Sequence, residues 1–266
     1  MKKASVGVVI PTYNSQATII RALDSVVRQT LLPELVVIVD DCSTDNTLPF
    51  INNYIEKYTG EIVFKVKRLK KNGGPAVARN EGMRGIRSNY IAFLDSDDAW
   101  LSNKIEVQYK IMEKNPSCIL SGHGKSVLRD DLSMEYMVPD VINPKIRKVS
   151  FQALLYRNYF STPTVMAKNY SVRFNAKRMY SEDYFAWLKT VTRGGALYID
   201  VPLAAIFKEA YGDSGLSARL LKMQKGEQAN YYDLWRDADI GFGTFLCVSA
   251  WSWLKFSKRF LVTARK

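Results

Sequence analysis

Residues 90–100 read Tyr90-Ile91-Ala92-Phe93-Leu94-Asp95-Ser96-Asp97-Asp98-Ala99-Trp100. The first five form a short, continuous apolar run bounded by polar residues, the pattern of a strand buried on both faces. The next four place three carboxylates at the exit of that strand. Carboxylates so placed are costly unless a cation neutralises them. A hard divalent cation with oxygen ligands would do so, and Mg2+ commonly brings a diphosphate with it. A second reading has these acids capping a following helix, since Asp and Ser favour helix starts.

Working outward, Val6–Ile10 is a β-branched run ending at Pro11, and Leu35–Val39 is another ending in Asp40-Asp41. Both read as buried strands. Between them Ile19, Ala22, Leu23, Val26 and Val27 recur at helical spacing, with Asn14 or Ser15 expected as the cap. A second amphipathic helix is expected around Leu48–Tyr58, and a third strand over 62–69. Asn72-Gly73-Gly74-Pro75 then breaks the chain and opens a third helix. Repeated strand–helix alternation predicts an α/β fold: a mostly parallel, Rossmann-like sheet with helices on both faces. Ligands bind such sheets beyond the carboxyl ends of the strands. Residues 11–14, 40–41, 72–74 and 95–98 should therefore converge on one crevice.

Past residue 100 the pattern is weaker. Helices are expected over 101–112, 151–159 and 181–192. Short strands are expected at 118–120, at 163–167 as an edge, and as two separate pieces at 197–199 and 203–207. Residues 121–148 read as polar and irregular.

The chain has 266 residues, 47% of them hydrophobic, enough for one large domain or two small ones. Its net charge of +12 favours an anionic partner. No nucleic-acid-binding module is recognisable, so nucleic acid is not the expected partner. Cys42, Cys118 and Cys247 are far apart and read as free thiols of a reducing compartment. No signal-peptide pattern and no spanning apolar run is seen, which predicts a cytoplasmic protein.

Together these motifs resemble the inverting, nucleotide-sugar glycosyltransferases of the family-2 type, with the GT-A fold, that build bacterial surface polysaccharides. The resemblance runs from about Val6 to Ser217 and rests on five motifs in order: Val8–Asn14, Asp40-Asp41 with 43–45, Asn72–Gly74 with Ala78-Arg79-Asn80 and Gly82, Asp95-Ser96-Asp97, and Glu182-Asp183. It implies transfer from a nucleoside diphosphate sugar, UDP favoured, to a glycan or lipid-linked acceptor. It places Pro11 and Tyr13 along the base, with Asp41 accepting from it. Gly74, Arg79, Asp95 and Ser96 fall around the nucleotide, and Asp97 on a Mn2+ or Mg2+ ion. Asp183 is the implied base, with Glu182 its neighbour. An acceptor hydroxyl becomes a good nucleophile only as its proton is removed. The competing reading of Glu182 and Asp183 is a helix cap meeting the helix dipole.

Many relatives carry a His shortly after the last strand; residues 207–217 contain none, and the chain's one His is His123. Lys208 or Tyr211 is a substitute contact, and 214–217 a candidate lid. Three rival classes fit less well. A dinucleotide oxidoreductase lacks its glycine fingerprint here. A sugar nucleotidyltransferase lacks its Gly-rich basic loop. A non-catalytic nucleotide-sugar-binding module would not need both Asp97 and Asp183.

The expected domains are 1–217, split into a nucleotide half (1–100) and an acceptor half (101–217), and a helical, basic-aromatic extension, 218–266. Residues 240–256 crowd Phe, Trp and Leu beside Lys and Arg. That suits an anionic membrane surface, at the inner face of the cytoplasmic membrane, or a helix packed on the domain or in a homo-oligomer contact.

Overall fold

The computed structural model describes residues 3–128, 144–207 and 219–263. Strands β1 (Lys3–Thr12), β2 (Leu32–Asp40), β3 (Val63–Arg68) and β4 (Tyr90–Phe93) alternate with helices α1 (Ile19–Val27), α2 (Thr47–Lys57) and α3 (Pro75–Met83). They are followed by β5 (Ala99–Trp100), α4 (Lys104–Lys114), β6 (Cys118–Val127), β7 (Ile146–Val149) and α5 (Phe151–Tyr156). A 3-10 turn (Thr162–Thr164), β8 (Met166–Lys168), α6 (Glu182–Val191), β9 (Gly195–Ile206), α7 (Leu220–Arg236) and α8 (Phe242–Thr263) complete it. The strands form one sheet in the order β3-β2-β1-β4-β8-β6-β9-β5, with β7 also on β9. The expected α/β architecture is the one observed.

The first four strands are parallel, with Val9 beside Val37 and Val8 beside Ala92. Successive side chains of a strand point to opposite faces. Val8 and Ile10 accordingly pack with Ile19, Leu23, Ile51 and Ile105 of α1, α2 and α4. Val9 packs on the other side with Ala78, Phe93, Trp187 and Leu188, under α3 and α6. Phe93, Phe174 and Trp187 form a triangle of ring centroids 5.4, 5.7 and 5.5 Å apart. This aromatic floor lies directly beneath the candidate site.

Beyond β4 the sheet becomes mixed, and several expectations change. Residues 163–167 are not an edge: β8 lies inside the sheet, antiparallel to both β4 and β6. Residues 195–206 form a single strand, β9, because β6 pairs along its whole length, with β7 and β5 sharing its other side. The segment read as irregular contributes Ser121–Val127 to β6 and Ile146–Val149 to β7. Its polar residues hide the strand; the partner β9 supplies it. Asn14 and Ser15 do not cap α1, whose cap position is Thr18. Asn14 instead takes a positive φ of 49° and receives the Thr44 amide at 2.9 Å, tying the first loop to the second.

Candidate active site

Four loops leave the carboxyl ends of the parallel strands, and hydrogen bonds stitch them together. The Ser15 amide donates to Thr47 Oγ1 at 2.7 Å, and Ser15 Oγ lies 2.8 Å from Ser96 Oγ. Asp41 receives the amides of Gly73 and Gly74, one on each carboxylate oxygen, both at 2.7 Å. Gly74 has φ +82°, a left-handed conformation that a side chain strains. Asp41 therefore shapes the Gly73-Gly74 loop. Burial, the larger effect, lifts its carboxyl above the usual range, against the two amides that hold it down. Asp41 is not a helix cap, since the cap position of α2 is Asn46. Pro11 is buried at the end of β1, and Tyr13 projects into the open, 48% exposed.

Arg79 is the centre of the site. Its guanidinium donates to Asp95 Oδ1 at 2.8 Å and to Glu182 Oε1 at 2.9 Å, and stands over the Phe174 ring. It is 5% exposed, so it is no solvated helix residue. Burial alone would disfavour the charge, but Asp95 and Glu182 outweigh it and hold the proton on. Glu182 is pushed up to about 7, first by burial and then by Asp183, with Arg79 opposing. Asp95 is raised by burial and by Asp97, again against Arg79.

Asp98 is buried and raised well above its usual range, by burial and then by Asp95 and Asp97. The reading of 95–98 as a helix cap fails, because β5 follows and α4 begins only at Lys104. Asp183 and Glu182 do lie in the first turn of α6. Asp183 Oδ2 receives the Thr162 hydroxyl at 3.2 Å, and its Oδ1 the Tyr184 amide at 2.7 Å. Glu182 and Asp183 thus separate: Arg79 engages one, Thr162 the other.

Among the described residues, five carboxylates (Asp95, Asp97, Asp98, Glu182, Asp183) meet three cations (Arg21, Arg79, Lys125). Hard oxygen donors gathered in this way fit a divalent cation. No three metal-ligating side chains converge on one point among the described residues. A cation held here would combine Asp97 with oxygens from the ligand itself, as Mg2+ commonly does.

Sequence reasoning missed Arg21, Lys125 and Thr162. Arg21 Nη2 donates to the Asp97 carbonyl at 2.6 Å and its guanidinium lies 3.6 Å from the Phe207 ring centre. Lys125 Nζ donates to Ser161 Oγ at 2.6 Å and lies in the field of Asp98, Asp183 and Asp95. Each sits on an element whose local pattern marks it only as polar. His123 is 1% exposed, inside the core, so it belongs to the structure and not to a cleft. Lys208, Tyr211 and 214–217 lie outside the described residues.

A parallel half and a mixed half, with acids gathered at the strand ends, define a glycosyltransferase of the GT-A fold. The chain belongs to glycosyl transferase family 2, whose sequence model matches residues 7–185. It is 29% identical over 188 residues to WfgD of Escherichia coli, a UDP-Glc:alpha-D-GlcNAc-diphosphoundecaprenol beta-1,3-glucosyltransferase, covering 69% of this chain and 68% of that one. It is 40% identical over 129 residues to TuaG of Bacillus subtilis (strain 168), a putative teichuronic acid biosynthesis glycosyltransferase, covering 48% of this chain but only 50% of that one. Among solved structures it resembles S. aureus TarS 1–349, with a TM-score of 0.67, 19% identity, and 95% and 70% of the two chains covered. A mannosyltransferase from Pyrobaculum calidifontis, PcManGT in complex with GDP-Man and Mn2+, gives 0.65 at 19% identity over 100% and 74%. At such identity these two likenesses carry the fold.

Proposed function

We propose that this glycosyltransferase is inverting and metal-dependent, moving a hexosyl or hexosaminyl group from a nucleoside diphosphate sugar, UDP favoured, to a hydroxyl of a glycan or lipid-linked acceptor. The product would be a cell-surface polysaccharide such as O-antigen, lipopolysaccharide or capsule. One observation carries the reading: Arg79 locks Asp95 to Glu182, so the nucleotide-side acids and the Glu182-Asp183 pair are held at a fixed separation.

Pro11 and Tyr13 wall the base, and Asp41 holds the Gly73-Gly74 loop against the nucleotide. Asp95 and Ser96 face the ribose side. Asp97 would hold Mn2+ or Mg2+, which supplies charge neutralisation to the leaving diphosphate. Asp183, oriented by Thr162, takes the proton from the acceptor hydroxyl as its oxygen bonds to the anomeric carbon and the carbon–oxygen bond to the diphosphate breaks. Attack opposite the leaving group inverts the anomeric centre. Residues 1–217 form the catalytic domain, nucleotide half and acceptor half, and 218–266 a helical extension. The reading places the enzyme in the cytoplasm, peripheral to the inner membrane face.

The test is a panel of UDP- and GDP-sugars offered with a synthetic lipid-diphosphate sugar acceptor, read by product mass and by NMR of the new anomeric centre. Transfer with inversion is expected. Retention, or release of sugar 1-phosphate with nucleotide incorporation, would refute it.

A further inference from the structure

Helix α8 has a mixed inner face and an apolar outer one. Its buried stripe is Val248 and Ser252, flanked by half-buried Phe245, Ser249, Lys255, Phe256 and Arg259. Ser252, Lys255 and the Ser249 carbonyl bond inward. Gln224 Nε2 donates to Ser252 Oγ at 3.0 Å, Gln228 Nε2 to the Ser249 carbonyl at 3.3 Å, and Lys255 Nζ to Glu227 and to the Tyr156 carbonyl, both at 3.2 Å. The opposite stripe carries Phe242, Leu246, Trp253, Leu254, Phe260 and Leu261. Their spacing keeps them on one side of the helix. All six are exposed, Leu246 by 50% and Leu254 by 65%. An apolar face this long on a free surface marks an interaction site.

Charge selects the occupant. Residues 240–266 contain no Asp or Glu; Lys255 and Arg259 of α8 turn toward Glu227 of α7, and Lys258 stands exposed beside the apolar stripe. A second copy would bring another Lys258 to the same face, on a chain of net charge +12. An anionic leaflet brings the opposite charge. Among the described residues no helix is long and apolar enough to cross a membrane, so α8 would lie in the plane. We infer that α8 is an in-plane anchor whose outer face enters the headgroup–acyl boundary of an anionic leaflet, with the exposed Lys258 at its edge meeting lipid phosphates. The inference stands apart from the reaction and is read without turnover.

The experiment floats the full chain with vesicles of phosphatidylcholine alone or mixed with phosphatidylglycerol, at low and high salt. Leu246→Glu/Leu254→Glu and Lys258→Glu are run beside it, with circular dichroism and thermal unfolding confirming their fold. Flotation only with the anionic vesicles, weakened by salt, is expected. The double substitution should lower partitioning by at least about tenfold, and Lys258→Glu by roughly tenfold. Should the double variant misfold, Lys258→Glu, exposed and without a structural partner among the described residues, decides alone. Equal binding to both vesicle types, no binding, or binding untouched by the substitutions overturns the proposal. So does a lipid-free dimer, seen by light scattering, that Leu246→Glu/Leu254→Glu dissociates; the face then belongs to a second copy.

Discussion

Arg79 and Glu182 are 103 positions apart in the sequence and 2.9 Å apart in space. The guanidinium bridges α3 to the start of α6 through Nη1, while its Nη2 donates to Asp95.

Replacing Arg79 with Met should therefore leave two acids uncompensated. Breaking one side of a buried ion pair costs about 3–5 kcal/mol, and urea unfolding should show a loss of that order. Glu182 is raised from 4.5 to about 7, so its contribution to stability is fully present below pH about 4.5 and lost as the pH rises through about 7. The Arg79→Met deficit should shrink in acid, and adding Glu182→Gln should recover part of it. An undiminished stability in Arg79→Met at neutral pH would remove Arg79 from this role.

Asp97→Ala should abolish transfer while the fold survives by circular dichroism, because Asp97 is half-buried beyond the end of β4 and its role is proposed to be toward the ion. Dialysis against EDTA should silence the wild type, and Mn2+ or Mg2+ should restore it. Full transfer by an exhaustively chelated enzyme would contradict the metal assignment.

Asp183→Asn should keep nucleotide binding, measured by calorimetry, yet lower turnover by about 10²-fold or more, the scale of losing a general base. Thr162→Val, which removes the hydroxyl donated to Asp183, should lower turnover less and leave donor KM unchanged. Wild-type turnover in Asp183→Asn would make the residue a helix-terminal carboxylate and nothing more.

His123 gives a stability prediction. Burial, and Lys104 behind it, hold its ring down to about 3. The depressed value means the neutral ring is stable above the unfolded value of 6.5 and that folding free energy drains away as pH falls below it. Stability should fall by up to about 1.4 kcal/mol per pH unit between 6.5 and 3 on this account. His123→Gln should flatten that slope, measured by urea titrations at several pH values. Parallel slopes for the two proteins would show the ring is not the acid-sensitive group.

Much of this was legible in sequence for a physical reason. β1, β2 and β4 are buried on both faces, so each is an unbroken apolar run, and the polar residues after each run had to be the crevice. Asp40-Asp41, Gly73-Gly74 and 95–98 do meet there. The second half resisted because its strands draw order from partners: Ser121–Ser126 is polar throughout and becomes a strand only against β9. Arg79's burial was hidden for a similar reason, since its neutralising acids lie on another loop and another helix. In α8 the sequence shows an apolar-aromatic helix with cations but not which stripe faces inward. That orientation is decided by Gln224, Glu227 and Gln228 on α7.

Ser181, the residue before the Glu182-Asp183 pair, has a left-handed backbone at φ 58°. Such a conformation costs a non-glycine residue about 1–2 kcal/mol, and Asn230 of α7 donates to both its carbonyl and its hydroxyl, at 2.9 and 3.2 Å. Gly226, one turn earlier, lets α7 approach the Tyr180 carbonyl, where any Cβ would come to 2.6 Å. The consequence is one of timing during synthesis. The ribosome releases Asp183 before Asn230, so the nascent chain carries the proposed base without the brace that shapes its loop. Catalytic competence should switch on only once α7 has emerged, keeping unfinished chains from spending donor. Asn230→Ala, which removes the brace and keeps α7, should bind nucleotide yet lower turnover toward that of Asp183→Asn. Wild-type turnover in Asn230→Ala would show the brace is dispensable.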